Sequence, residues 1–450
     1  METKFKILFF YSAALVFVIA LTINLQRSVN SKNLENVESS KSFDDIINQN
    51  ADDMMNAGRQ IFRYDTFGSE DFWGGKLNLH LAILGSNQGG VGDGISPKAA
   101  LGLGLKVDMD KLPESIVDGI KNGTVNLDDP ASTVALLQAD AVLGVKGIFN
   151  KAGKMEAVGI MCAFCHSTVD DAFSPGIGHR LDGYPNRDLD VGKIISSAPD
   201  VKVIADILGV DLATTKKVLL SWGPGKFDAE LMLDGKGFRP DGKSAATLLP
   251  AAYGLAGVNL HTYTGWGQVT NWNAFVSNLE MQGKGTYIDS RLNNPEKFPI
   301  AVKMGSFNKR DAIDLTSSKL APLQFYQLSI PAPKPPEGSF NKDFASTGES
   351  LFNSKAKCIT CHVPPLFTEP GWNMHKPEEI GIDDFQSSRS PDGMYRTTPL
   401  KGLWARQKGG FYHDGRFAVL MDVVNHYNDF MNLQLSEDEK KNLVEYLKSL

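Results

Sequence analysis

The placement of the four cysteines constrains this chain more than any other feature. All of them lie in two copies of one pentapeptide, Cys162-Ala-Phe-Cys165-His166 and Cys358-Ile-Thr-Cys361-His362. In Cys-x-x-Cys-His, the two thiols form thioethers with the vinyl groups of a haem, and the histidine binds its iron from the proximal side. The sequence therefore predicts two covalently attached haems of the c type, with His166 and His362 as proximal iron ligands.

The main alternative is a structural zinc site made from the two cysteine pairs. That reading leaves both adjacent histidines unexplained, and it joins pairs that lie far apart in the sequence. A thioredoxin-like redox role requires only one pair. Haem attachment accounts for all four cysteines and both histidines at once.

Composition describes an ordinary globular chain. It has 450 residues with 42% hydrophobic and 22% charged residues, and its formal net charge is −6. An acidic balance argues against a nucleic-acid partner, because such proteins usually carry a basic surplus. Four cysteines are far too few for a disulfide scaffold.

The N-terminus predicts export from the cytoplasm. Lys4 and Lys6 precede an apolar run over 7–25, as in a signal peptide, and the run is also long enough for an uncleaved membrane anchor. We therefore expect residues 1–25 to be a signal or an anchor and the polar stretch 26–52 to be a flexible tether. The expected location is the periplasm, with inner-membrane anchoring as the alternative, which agrees with maturation of c-type haem outside the bacterial cytoplasm.

A proline-rich stretch divides the rest of the chain. Ile330–Pro336 contains four prolines, which favour an extended spacer. The predicted units are an N-terminal haem domain over 53–330, a linker over 331–336 and a C-terminal cytochrome c domain over 337–450.

Helical signals dominate these units. Phe344–Ala356 precedes the second cysteine motif, Phe417–Met431 carries apolar residues at helical spacing, and Ser436–Glu439 forms a capping box before a last helix. Alternating strand patterns are few. The expected fold class is mainly α, with two cytochrome-c-like haem domains, long irregular loops and an N-terminal insertion.

Further stretches carry a resemblance to the superfamily of bacterial dihaem cytochrome c peroxidases, which includes the dihaem enzyme that matures methylamine dehydrogenase. They are Gly176–His179, Asn271–Gly285, Tyr395–Gly402 and Phe411–Gly415. The similarity covers most of 155–450 and is loose between Gly192 and Tyr253. It implies two cytochrome-c-like domains, a peroxide-reactive N-terminal haem and an electron-entry C-terminal haem.

The resemblance also implies roles for individual residues around the first haem. His179 matches the displaceable distal histidine, and it follows His166 in a glycine-rich loop that could fold over the haem. Trp272 matches the tryptophan that passes electrons between the haems. Gln282 matches an active-site glutamine above the first haem.

The distal ligand of the second haem stays open. Counting from His413, the methionine ligand of the peroxidases falls on Tyr427, and the methylamine-maturing relative has tyrosine at that place. His426 and Met374 are the rival ligands. The alternative role for Tyr427 is helix packing.

The chain also departs from the resemblance. The catalytic glutamate of the family falls on Leu292, and either Asp289 or Glu280 would have to replace it. An insertion over 63–155 separates the first motif from the helix that directly precedes it in the peroxidases. Asn186 lies near the position of an inter-domain calcium ligand, but the other calcium-binding residues are not recognisable, so calcium stays open.

Three functions are therefore in competition. The first is peroxide reduction at the N-terminal haem, with electrons entering through the C-terminal haem from a small periplasmic cytochrome c or cupredoxin. The second is a dihaem electron-transfer cytochrome without catalysis. The third is an oxygenase or oxidase that acts on a larger substrate. A homodimer is a further open expectation.

Overall fold

A computed structural model describes residues 42–450 of the chain. Helices dominate it, which confirms the prediction of a mainly α fold. In chain order the α-helices are α1 Phe43–Tyr64, α2 Leu79–Leu84, α3 Pro97–Gly102, α4 Glu114–Lys121, α5 Pro130–Gln138, α6 Ala163–His166, α7 Val191–Ser196, α8 Lys202–Leu208, α9 Leu212–Ser221, α10 Leu231–Asp234, α11 Val269–Phe275, α12 Pro299–Met304, α13 Leu320–Ser329, α14 Lys342–Phe352, α15 Phe385–Ser388, α16 Leu420–Phe430 and α17 Glu437–Ser449.

The strands are short, and they pair two by two. They are β1 Val107–Asp108, β2 Val145–Phe149, β3 Met155–Ile160, β4 Ser167–Val169, β5 Ile177–Gly178, β6 Arg180–Asp182, β7 Lys226–Phe227, β8 Thr247–Leu248, β9 Thr286–Ile288 and β10 Asn308–Arg310. β1 pairs with β5 in parallel, whereas β2–β3, β4–β6, β7–β8 and β9–β10 are antiparallel. Long loops join these elements, as expected.

The first described helix corrects the predicted tether. α1 begins at Phe43, inside the stretch 26–52 for which the polar sequence predicted flexible chain. The reason is a reciprocal cap, because Ser42 Oγ accepts the amide hydrogen of Asp45 and the Asp45 carboxylate accepts that of Ser42, at 3.1 and 2.9 Å. This pairing satisfies amide groups that a helix start otherwise leaves open.

The chain separates into a unit that ends at Asp53 and a compact unit from Met54 to Leu450. Within residues 42–450, no helix is both long and apolar enough to span a membrane. The predicted signal or anchor over 1–25, with its apolar run over 7–25, lies outside the described residues.

The C-terminal helices follow the sequence prediction. α14 and α17 pack closely, and Gly348 permits this because a Cβ there would lie 2.0 Å from the carbonyl oxygen of Asn442. The predicted capping box of Ser436 and Glu439 forms both of its hydrogen bonds. Phe352 is fully buried in the core that these helices share.

The proline-rich stretch has no regular secondary structure, and it forms hydrogen bonds with the segments before and after it in the chain. The carbonyl oxygen of Ile330 accepts a hydrogen bond from the Gly254 amide at 2.8 Å. Farther along, the Pro333 carbonyl accepts one from Trp404 Nε1 at 3.2 Å. The stretch is therefore held at its start and at its middle by other segments of the compact unit.

A fully buried ion pair joins the segments before and after the proline-rich stretch. Arg389 is 0% exposed, and its guanidinium lies 2.9 Å from Asp228 Oδ1 and 2.8 Å from Asp234 Oδ2. Its Nη1 also donates to the Ala245 carbonyl at 3.3 Å. The contact works as a clamp, because losing one partner would leave the others charged in a dry interior.

Replacing this arginine should therefore destabilise the whole unit. We expect Arg389→Met to lower the free energy of unfolding by about 3–5 kcal/mol, the usual cost of breaking a buried pair from one side. The measurement is urea unfolding of the purified protein. The exposed Arg310→Met is the control, with an expected change within about 0.5 kcal/mol. Equal stabilities of the two variants would contradict the clamp.

Candidate functional site

The first cysteine motif follows directly from the β2–β3 hairpin. β3 ends at Ile160, and the motif residues continue into the one-turn helix α6. The Met161 amide donates to the carbonyl of Gly144 at 2.9 Å. Gly144 has a positive φ of 77°, and a Cβ at this position would come within 2.0 Å of Phe164 Cα. Only glycine allows the hairpin to approach the motif this closely.

The insertion over 63–155 forms part of the wall of this motif. Trp73 is 2% exposed, and its ring packs edge-on against Phe164 with ring centroids 6.3 Å apart. Trp73 Nε1 donates a hydrogen bond to the Met281 carbonyl at 3.0 Å. The inserted segment therefore connects the first motif with the turn that carries Gln282.

The second motif opens onto a large apolar cavity. Cys358–Thr360 forms a single 3-10 turn, and the His362 amide closes it by donating to the Cys358 carbonyl at 2.9 Å. The cavity has a volume of about 260 Å³, and Cys358, Cys361 and His362 all line it. Its other walls come largely from aliphatic side chains of the C-terminal helices, including Leu420, Val424, Leu443 and Leu447.

The two motif histidines make the same hydrogen bond. His166 Nδ1 lies 3.1 Å from the Pro250 carbonyl, and His362 Nδ1 lies 3.0 Å from the Phe367 carbonyl. Since a carbonyl only accepts, each Nδ1 must carry the hydrogen, which leaves Nε2 as the nitrogen with a free lone pair. Burial lowers the pKa of His166 to about 4 and also lowers that of His362. Both rings are neutral at pH 7 and oriented as metal-binding histidines usually are.

This donor set fits haem attachment and not zinc. All four cysteines are free thiols. Among residues 42–450, the groups whose ligand atoms could share one metal ion are Cys361 with Glu369 and His375, and Asp383 with His413 and Asp414. Neither group joins the two cysteine pairs, as a four-cysteine zinc site would require. A cavity with two thiols, an oriented imidazole and apolar walls matches a flat, largely apolar cofactor.

The three candidate distal ligands of the second motif occupy different places. Tyr427, on α16, lines the same cavity as His362. His426 faces elsewhere, since its Nε2 bonds to the Ile380 carbonyl at 2.9 Å and its ring stacks on Phe430. The sulfur of Met374 packs against Gly265. Of the three, only Tyr427 belongs to the cavity wall of the described chain.

His179 lies on the same hairpin as the first motif but near the surface. In the β4–β6 ladder, Ser167 pairs with Asp182, so His179 is displaced several positions from His166 along the hairpin. Its side chain is about half exposed, and Nδ1 lies 2.9 Å from Asp110 Oδ1. The role of His179 as a displaceable iron ligand stays a prediction.

The other residues implied by the resemblance lie close together in the sequence. Trp272 is 7% exposed and packs against Trp266 in an aromatic cluster, with centroids 5.1 Å apart. Leu292, at the place of the family glutamate, is fully buried in that cluster. Gln282 has a positive φ of 60°, and its side-chain Nε2 donates to the Leu279 carbonyl. The electron-bridging and catalytic roles of Trp272 and Gln282 stay predictions.

Glu280 is one of two carboxylates whose charges act on the cysteines of the first motif, and the other is Asp65, near Cys162. Burial is the main cause of the raised pKa of the Cys165 thiol, and the charge of Glu280 adds to it. Burial, and then repulsion from Glu230 and Asp228, raises the pKa of Glu280 to about 8. The other sequence candidate, Asp289, is held in an ion pair with Arg291 at 2.7 Å. The sequence offers both Glu280 and Asp289 as candidate acids. Only the tertiary structure distinguishes them, through the groups that surround each one.

Two backbone connections join the motifs, and sequence reasoning missed both. The Asn186 amide donates to the Cys165 carbonyl at 2.9 Å, and the next residue, Arg187, lines the cavity of the second motif. The Leu248 amide donates to the carbonyl of His413, another cavity residue, at 2.7 Å. Two residues beyond Leu248 stands Pro250, whose carbonyl holds the first motif's histidine. No local pattern marks such contacts, because each joins distant segments.

The side chain of Asn186 forms two hydrogen bonds with the backbone. Its Nδ2 donates to the Gly104 carbonyl at 2.9 Å, and its Oδ1 accepts from the Asp188 amide at 3.3 Å. These bonds fix the loop between the two motifs. They give Asn186 a structural role that is independent of calcium.

No family model and no curated protein sequence matches the chain. Among solved structures it is similar to hydrazine synthase from Kuenenia stuttgartiensis, with 23% identity over 30% of this chain and a TM-score of 0.23. It is also similar to a MauG-like protein associated with microbial copper homeostasis, with 16% identity, a TM-score of 0.27, and coverage of 49% of this chain and 76% of that one. The chain spans 56% of the hydrazine synthase chain. Both similarities are weak, and neither shows a function for this chain.

The raised pKa of Glu280 predicts a pH-dependent stability. The ordinary pKa of glutamate, 4.5, applies to the unfolded chain, whereas the folded chain keeps this proton up to about pH 8. The unfolded state therefore binds fewer protons between these values, so stability should fall as pH rises across that window. We expect Glu280→Gln to flatten this fall, measured as the melting temperature between pH 5 and pH 8.

The matched control for this measurement is Glu296→Gln, which changes an exposed glutamate. It should keep the pH profile of the parent protein. A Glu280→Gln profile that runs parallel to the parent would show that Glu280 is not a buried, protonated acid.

Proposed function

We propose that this chain is a dihaem c-type cytochrome that acts as a peroxidase-like oxidoreductase. It reduces peroxide at the N-terminal haem with electrons that enter through the C-terminal haem. The observation that carries the proposal is the duplicated arrangement of two free cysteines followed by a histidine whose Nδ1 donates to a backbone carbonyl. Haem bound in this way supplies one-electron redox chemistry and an iron that can bind small oxidants.

The chain's own residues hold the cofactors. Cys162 and Cys165 form the thioethers at the first site, and Cys358 and Cys361 form those at the second. His166 and His362 present Nε2 to iron, because their Nδ1 atoms are committed to carbonyls. At the second site Tyr427 would be a further residue to bind the iron, which is supported by its place in the same cavity wall as His362.

Glu280 supplies the proton at the first site. Its pKa of about 8 means that it is protonated at pH 7. It could therefore donate a proton to the peroxide oxygen that leaves when the O–O bond breaks. It takes the part that the resemblance gives to a glutamate at the position of Leu292. Gln282, two residues farther along, orients the oxidant, and Trp272 passes electrons from the second site.

A dihaem electron carrier without catalysis is the second candidate. It is favoured by Leu292, which is 0% exposed within an apolar cluster and so leaves that position without an acid. The two candidates share both haems and differ only in whether the first iron becomes open to a ligand. In both, we propose a periplasmic location and a small cytochrome c or cupredoxin as redox partner, supported by the c-type attachment motifs.

The deciding experiment is electron paramagnetic resonance of the purified, haem-loaded protein, fully oxidised and after reduction by one electron. We expect two covalent haems and a high-spin ferric signal in at least one of these states, because peroxide reduction requires an iron with an open or releasable site. Peroxide turnover should accompany that signal. Two signals that stay low-spin throughout would leave only the electron carrier, and fewer than two haems would contradict both candidates.

The distal ligand of the second site has its own test. We expect Tyr427→Phe to change the spectrum of the C-terminal haem alone and to raise its reduction potential, because an anionic oxygen ligand stabilises ferric iron. The measurement is a spectroscopic redox titration. Tyr446→Phe is the matched control, since Tyr446 is a buried tyrosine of the same C-terminal core that does not line the cavity, and it should leave the spectrum unchanged. Unaltered spectra in both variants would return the choice to His426 and Met374.

A further inference from the structure

Three arginines line the cavity of the second cysteine motif. Arg187 comes from the loop that also bonds to the first motif, whereas Arg396 and Arg406 come from the C-terminal part. Arg187 is 7% exposed, and the other two are half-buried. Three guanidinium groups therefore line this cavity, and the one carboxylate in its lining, that of Glu379, pairs with His375 instead.

None of these arginines forms a salt bridge within residues 42–450. Arg187 Nη1 donates to the Lys408 carbonyl at 3.2 Å, and Arg406 Nη2 donates to the carbonyl of Pro399. The guanidinium of Arg396 is held by two backbone carbonyls of residues 260–262. The Nε atoms of Arg187 and Arg406 are buried without any hydrogen-bond partner.

The positive charges also act on one another. Burial and then the charge of Arg406 lower the pKa of Arg396 to about 9. Burial and the same neighbour contribute to a lowered pKa of Arg187. Unpaired charges in a low-dielectric interior are strongly unfavourable. Elsewhere the same chain pairs its fully buried Arg389 with two aspartates, so the surplus at this cavity indicates that an anionic ligand belongs there.

We propose that Arg187, Arg396 and Arg406 bind the carboxylates of the cofactor held by Cys358, Cys361 and His362, and that their charge raises its reduction potential. The inference rests on the proposed function, because it takes that cofactor to be haem, whose two propionate groups are carboxylates. Planar guanidinium groups suit carboxylates through paired hydrogen bonds. Nearby positive charge disfavours the ferric state, which carries one positive charge more than the ferrous state.

The test is a spectroscopic redox titration of the full-length, haem-loaded protein with Arg406→Gln or Arg187→Gln. One of the two reduction steps should move to lower potential, and the other should stay in place. Each arginine should change that reduction equilibrium about tenfold, which corresponds to 59 mV for one electron, as expected for one charge acting through an effective dielectric constant of about 20.

Lys401→Gln is the matched control. Lys401 is exposed and lies midway in the sequence between Arg396 and Arg406, outside the cavity lining. It removes the same charge and should leave both steps unchanged. Arg406→Lys keeps the charge and should retain most of the parent potential.

The outcomes distinguish a failure of this inference from a failure of the proposed function. Mass spectrometry of the peptide with Cys358 and Cys361 reports whether haem is attached there, and its absence would overturn the proposed function and the inference together. Attached haem with both steps unmoved in the glutamine variants would overturn the inference alone. A shift that appears only when inorganic phosphate is added at constant ionic strength would show that the arginines bind a free anion, which also overturns it.

Discussion

A hydrogen bond from each motif histidine to a backbone carbonyl determines which ring nitrogen is free to bind a metal. It sets the tautomer and directs Nε2 away from its own carbonyl partner, as in other metal-binding histidines. The Pro250 carbonyl that bonds to His166 lies two residues beyond Leu248, whose amide donates to the His413 carbonyl. The orientation of the first histidine thus depends on the wall of the second cavity, and one site is built partly from the supports of the other.

Buried arginines occur in two different arrangements in this fold, one with carboxylate partners and one without. At Arg389 the chain supplies its own counter-charges, Asp228 and Asp234, and gains a clamp between distant segments. At the second cavity three arginines lack carboxylate partners within residues 42–450. A ligand that neutralises them would stabilise the folded chain, because buried guanidinium groups without counter-charges are unfavourable. Since Arg187 belongs to the loop that bonds to Cys165, such a ligand would also connect the two motifs.

Sequence reasoning succeeded where the signal was local. The capping box at Ser436 and the helices around the second motif were predicted close to their observed places, because caps and apolar spacing act within a few residues. It did not anticipate that α1 begins at Phe43, inside the stretch predicted as a tether, where Ser42 and Asp45 cap the helix. It could name Glu280 and Asp289 as candidate acids but could not choose, because the choice depends on which one packs beside Cys165 and which one pairs with Arg291.

The sequence by itself predicted covalent haem attachment, since the Cys-x-x-Cys-His motif is local and can be recognised without knowledge of distant contacts. It also determined the mainly α class, through helical periodicity and caps. Only the tertiary structure decided that Tyr427 shares a cavity with His362 while neighbouring His426 does not. Only the tertiary structure brought Arg187 together with Arg396 and Arg406. The reason is that burial and electrostatic pairing depend on positions in space, and residues hundreds of positions apart carry no sequence mark of meeting.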